Sequence, residues 1–197
     1  MKTILKLSLL LMLFLPVAHA QAPIIAGAGP VIEAGIGYSF VSGTVPSEAR
    51  QALNGAQLMA NADLSRRFGV KLDVGYARTF DSFNTGRSAD ILTYMAGPVF
   101  YPLRRRRTNV FTHVLAGAAR QTGANFDNNG LLMLGYVHEF AWAGGGGIQF
   151  PVSRSLSLRV GADYLQTHFF NSNAALQTQT NLRGSVSLIY TFGENRE

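Results

Sequence analysis

The chain has 197 residues, no cysteine, 21 glycines and a formal charge of +6 at pH 7. Its length leaves room for one large domain or two small ones, and the missing thiol excludes both a disulfide framework and a cysteine-borne lipid anchor. Charged residues make up 14% of the chain, well below the roughly 25% of an ordinary soluble domain.

Lys2 and Lys6 precede an apolar run from Leu7 to Val17, and Ala18-His19-Ala20 has the A-x-A form of a cleavage site. Residues 1–20 therefore read as a secretory signal peptide, with an apolar run too short to span a bilayer as a helix. Export argues against nucleic acid as the partner that a basic chain otherwise invites. Residues 21–30 form a short lead, 31–193 the folded domain, and 194–197 a tail. Beyond the signal no window of about 18 uninterrupted apolar residues exists. The hydrophobicity is spread in alternation instead.

Eight segments of period two follow in order. Ile32, Ala34, Ile36, Tyr38 and Phe40 share the apolar face of the first, and Ala56, Leu58, Ala60, Ala62 and Leu64 that of the second. Phe68, Val70, Leu72, Val74 and Tyr76 form the third, and Leu92, Tyr94, Ala96, Pro98 and Phe100 the fourth. In the fifth, at about 109–120, Phe111, His113 and Leu115 compete with Val110, Val114 and Ala116; the second set is expected outward. Phe140, Trp142, Ile148 and Phe150 mark the sixth, and Leu156, Leu158, Val160, Ala162 and Tyr164 the seventh. The eighth carries Leu182, Gly184, Val186, Leu188, Tyr190 and Phe192.

Connections of about 65–68, 101–108 and 151–155 are short, while those of about 42–54, 79–90, 121–137 and 169–179 are longer and polar. Alternating turns and loops of this kind, joining segments long enough to cross a bilayer when tilted, predict an all-β fold: an eight-stranded antiparallel up-and-down transmembrane β-barrel. Aromatic residues near both predicted strand ends fit the two headgroup levels. The second face, rich in Gly, Ala, Ser and Thr with isolated charges, suits a narrow lumen better than a wet exterior.

The closing run from Leu182 to Phe192 resembles the last strand of bacterial outer-membrane barrels. Ala96-Gly97-Pro98 with Phe100, and Arg159 through Asp163-Tyr164, resemble the porin-family outer membrane protein β-barrel group, which is similar to the OmpA membrane domain and to OmpX. The resemblance implies an outer-membrane location in a Gram-negative-type envelope, with membrane lipids and lipopolysaccharide as neighbours. It also implies dealings with periplasmic chaperones and the barrel assembly machinery, for which Leu188, Tyr190 and Phe192 would be the assembly signal. Phe192 is not the final residue, since Gly193 to Glu197 follow.

Candidate functional residues fall into three groups. Glu33, Asp63, Asp73, Glu139 and Asp163 are expected to share the lumen with Lys71, Arg159 and Arg183, Asp63 facing Lys71 and Asp163 facing Arg183. An eight-stranded barrel is just wide enough for its own side chains, so these charges must pair or stay hydrated; a polar plug is favoured over an ion path. Arg104, Arg105, Arg106 and Arg107, with Arg66, Arg67 and Arg154, gather at the turns. There they are expected to meet lipid headgroups, each contributing on the order of 1 kcal/mol, and no interleaved aromatic platform makes them a nucleic-acid site. Finally, His138, His168, Glu139 and Ser172 offer the elements of a base-assisted nucleophile, but lack the His-x-Ser pair of lipid A deacylases. The run Gly144 to Gly147 lacks the Lys-Ser/Thr and the helix of a phosphate loop, and reads as a bend or as room for an aromatic ring. The chain is thus expected to be a non-enzymatic barrel without cofactor, serving envelope integrity or surface interaction through its loops. A narrow pore is the alternative, followed by a lipid A-modifying enzyme and a soluble periplasmic binding barrel.

Overall fold

The computed structural model describes residues 31–44, 50–82, 86–126, 132–170 and 176–192. The signal peptide and lead expected at 1–30 and the tail expected at 194–197 lie outside these, as does residue 193. Eight strands follow in chain order: β1 (Val31–Thr44), β2 (Arg50–Asp63), β3 (Phe68–Thr79), β4 (Ala89–Arg105), β5 (Thr108–Phe126), β6 (Leu132–Pro151), β7 (Leu156–Phe170) and β8 (Leu176–Phe192). Each pairs antiparallel with the next, and β8 pairs with β1 from Ile32↔Phe192 to Ser42↔Leu182, closing the barrel.

Side chains alternate along a strand, and the registers keep one parity everywhere except at the turn-side end of β4. Even-numbered residues such as Ile36, Leu58, Leu72, Val114, Phe140, Ile148 and Leu188 point outward and are exposed. Their odd-numbered neighbours are buried or half-buried. On β5, Phe111, His113 and Leu115 are inside and Val114 is outside, so the expected register holds there too. An apolar exterior around a buried, partly charged interior inverts the arrangement of a soluble barrel.

The strands exceed the expected length of about ten residues. β5 and β6 reach 19 and 20 residues, and much of the predicted loops 42–54, 121–137 and 169–179 is strand. Pairs such as Arg120↔His138 and Thr122↔Tyr136 continue the β5–β6 ladder past the apolar stretch. Backbone hydrogen bonds do not require apolar side chains, so the ladder outlasts the pattern used to find it. The turns shrink likewise: only Arg106 and Arg107 separate β4 from β5.

The loop-side half of the lumen holds an apolar cluster of Val41, Ala77, Ile91, Met95, Leu115, Ala119, Ala141, Ala143 and Leu165, with buried Ser39, Thr93, Thr167 and Asn181 among them. Charged side chains occupy the half toward the turns. Between Phe100 and Leu103 the β4–β5 register shifts. Such a bulge inserts an extra residue and reverses the alternation beyond it. Tyr101 keeps the inward side that its parity gives, and Arg104, which the uninterrupted alternation would point outward, turns inward as well.

Glycines on the inner face make space for large partners. A Cβ on Gly147 would lie 2.0 Å from the Val160 carbonyl oxygen and 2.9 Å from the Phe111 ring, whereas one on Gly184 would meet nothing within 4 Å. Gly147→Ala is therefore expected to destabilise the barrel by about 1–3 kcal/mol, and Gly184→Ala to leave stability within about 0.5 kcal/mol. Urea titration of folding into lipid vesicles measures both.

Candidate functional site: the charged lumen

The lower network lies nearer the turns. Glu33 on β1 points across the lumen to Arg159 on β7, with Oε2 2.7 Å from Nη2. Asn61 donates to the same carboxylate at 2.9 Å and Gln149 at 3.0 Å. Arg159 Nε also donates to Gln149 Oε1 at 3.0 Å, and its guanidinium lies 4.8 Å from the Phe111 ring centre. At the rim, Arg104 reaches Asp63 at 2.6 Å and stacks over Tyr101 at 3.7 Å.

The upper network centres on Arg183. Its Nη1 meets Asp73 at 2.8 Å, and its Nε and Nη2 meet Asp163 at 2.8 and 2.6 Å. Lys71 Nζ lies 3.0 Å from the other Asp73 oxygen, and Gln57 donates to that carboxylate as well. His113 Nε2 lies 3.0 Å from Asp163 Oδ1, off the line that a straight hydrogen bond needs, and its ring stacks on Phe111. The glycine run accommodates this cluster, since a Cβ on Gly145 would sit 2.2 Å from Asp163 Oδ1. Acids and cations in both networks are each within ion-pair distance of an opposite charge. That is the condition under which buried charge is tolerated.

Several expectations need correction. Asp63 does not face Lys71: the register sets Asp63 against Gly69 and Lys71 against Asn61. Lys71 pairs with Asp73, two residues along the same face, and Asp63 with Arg104. Arg104 is accordingly not a headgroup-facing residue of the turn, because the bulge swings it inside. Glu139 stands half-buried opposite Ala119 and joins neither network among the described residues. Asp163 and Arg183 are direct register partners. Gln57, Asn61 and Gln149 have the inward parity but carry no charge, so their part was not anticipated; that of His113 follows from the β5 register.

His138 and His168 lie outside the lumen. His138 bonds the Tyr94 hydroxyl and stacks on that ring, while His168 Nδ1 is 3.2 Å from the Phe140 carbonyl oxygen. Glu139 belongs to the opposite face of the sheet, so it cannot orient either imidazole. Ser172 lies outside the described residues. Among those described, no group of three or more His, Asp and Glu could hold a metal ion.

A family model, the outer membrane protein beta-barrel domain, matches residues 7–192. The chain belongs to this family. Membership gives the apolar exterior its solvent, the hydrocarbon of the outer membrane. Among solved structures the barrel is similar to Ail, the attachment invasion locus protein of Yersinia pestis, at 16% identity and TM-score 0.58 over 84% of this chain and 100% of that one. It is also similar to Neisserial surface protein A, at 11% and 0.59 over 84% and 98%. A third is OprG from Pseudomonas aeruginosa, at 12% and 0.53 over 84% and 96%. These identities carry the fold alone. No curated protein sequence matches.

Removing Arg183 from this outer-membrane barrel would strand the buried Asp73 and Asp163. Arg183→Ala should therefore cost about 3–5 kcal/mol. Arg104→Ala also leaves the buried Asp63 without its cation, but at a rim where the guanidinium is a quarter exposed and water can replace it, so it should cost less, about 1–3 kcal/mol. Equilibrium unfolding in vesicles, read by tryptophan fluorescence, checks the contrast.

Proposed function

We propose that this outer-membrane barrel is a closed, non-enzymatic scaffold that supports the envelope and presents its loops for surface interaction. The observation that carries the reading is the lumen itself, where interlocked ion pairs sit beneath a close-packed layer in which apolar side chains predominate. A hydrated ion on this path would have to displace Arg183 from two carboxylates and then enter a stretch lined by Val41, Ile91, Met95, Leu115 and Leu165. Both steps are costly, the first because it separates buried charges and the second because it strips water from the ion.

The exterior histidines, held by aromatic and backbone partners and separated from Glu139 by the face of the sheet it occupies, support a role without catalysis. Loops on a rigid scaffold are where contacts with other molecules are usually built, and the connections near 121–137 and 169–179 are the candidates. Membrane lipid and lipopolysaccharide surround such a barrel. Leu188, Tyr190 and Phe192 all face outward at the end of β8, Tyr190 and Phe192 with rings 4.8 Å apart. They are available there to the barrel assembly machinery, after delivery by periplasmic chaperones.

Planar-bilayer recording tests the closed lumen. The wild-type barrel should give no steady conductance. Steady current altered by Arg159→Ala or Arg183→Ala would replace the scaffold reading with that of a narrow channel. Mass spectra of lipid A from cells with and without the protein should show the same acyl composition.

A further inference from the structure

The two rims of the barrel differ in charge. On the rim where β1 starts and β8 ends, the connections carry Arg66, Arg67, Arg105, Arg106, Arg107 and Arg154, all exposed. Among the described residues no exposed acid stands with them, because Asp63 is buried and held by Arg104. The loop rim mixes signs, setting Arg50, Arg78 and Arg87 among Asp81 and Asp90.

Local structure presents these arginines in a defined way. Leu64 and Ser65 both donate backbone N–H groups to the Phe68 carbonyl, and the Ser65 hydroxyl accepts from the Phe68 amide at 3.1 Å. Val152, Ser153 and Leu156 repeat the construction around Arg154. The Tyr101 amide donates to the Arg67 carbonyl at 2.8 Å, tying the β2–β3 turn to β4, whose end carries Arg105. Arg66, Arg67 and Arg105 to Arg107 therefore share one arc of the rim. Just inside it lie membrane-facing rings, with Phe68 next to Arg67 in sequence and 4.9 Å from Phe100.

We propose that this arc binds the headgroups of anionic glycerophospholipids in the leaflet that the turns face, with Arg66, Arg67, Arg105, Arg106 and Arg107 contacting phosphate. Guanidinium groups bind phosphate oxygens through paired, charge-assisted hydrogen bonds. Rings at the interface set the depth of the barrel, which leaves the arginines one residue farther out, at headgroup level. Like charges crowded without acids gain most from ligands that bring negative charge to them. A lipid is the favoured occupant because its chains already lie against the apolar wall, so its headgroup meets the arc at high local concentration. The proposal does not depend on whether the lumen conducts.

Native mass spectrometry of the full barrel, released from micelles containing equal phosphatidylglycerol and phosphatidylcholine of the same chain length, tests it. Phosphatidylglycerol should be retained about tenfold over phosphatidylcholine at low salt. The preference should vanish in Arg66→Gln/Arg67→Gln/Arg105→Gln/Arg106→Gln/Arg107→Gln and persist in Arg50→Gln/Arg78→Gln/Arg87→Gln. Heat-modifiable migration on gels establishes folding of each variant. If the five-fold variant does not fold, the pair at 66–67 and the triple at 105–107 are measured separately, and each should lower the preference. Equal retention of the two lipids, or a preference unchanged by these substitutions, overturns the proposal. So does arginine-dependent binding of soluble glycerophosphoglycerol or a peptidoglycan fragment that matches the lipid in affinity, since the surface would then serve a soluble anion.

Discussion

Hydrocarbon offers a backbone no hydrogen-bonding partner, and the whole architecture follows from that. A sheet placed there must satisfy each N–H and C=O within itself, which an open sheet cannot do at its edges. Pairing of β8 with β1 removes them. Closure then divides every strand into a face that meets lipid and a face that meets the other strands across a lumen of fixed, small width. The apolar exterior and the crowded interior are two outcomes of one requirement.

The interior had to solve a harder problem than the exterior. Apolar side chains from alanine to leucine, with a few hydroxyls and amides, pack its loop-side half, but toward the turns it carries carboxylates, guanidinium groups and an ammonium. Their arrangement ties together strands that are not neighbours: Glu33 to Arg159 joins β1 to β7, and Asp73 to Arg183 joins β3 to β8. Buried ion pairs often add little net stability, yet losing one partner is severe. A register slip by one residue would move these charges into lipid. The networks thus discriminate against wrong pairings more than they strengthen the right one. Glycines at 145 and 147 complete the design by leaving room for Asp163 and Phe111.

Under the proposed closed lumen, what the barrel offers to other molecules lies at its two rims and on its flank. The fold alone assigns no activity. The chemistry at the ends is nonetheless distinct, with mixed charge and long β-hairpins at the loop rim and clustered arginine at the turn rim. The flank carries tyrosine, tryptophan and histidine rings, including Trp142 against Tyr164. Such rings suit the level of the lipid headgroups.

Period-two alternation made the eight strands, their order and their outward faces readable from the residues alone, because a strand places successive side chains on opposite sides whatever it packs against. The same rule put Asp163 and Arg183 inside and, with hairpin pairing, opposite one another. It failed at Arg104, where a bulge at Tyr101 and Pro102 reverses the parity and no local pattern announces it. It also failed at strand ends, because hydrogen-bonded ladders continue through polar residues. The choice of Asp73 and not Asp63 for Lys71, and of Glu33 for Arg159, depends on the stagger between strands and on closure of the sheet. Those are properties of the assembled barrel, so the sequence determined which residues enter the lumen and the tertiary structure decided which of them meet.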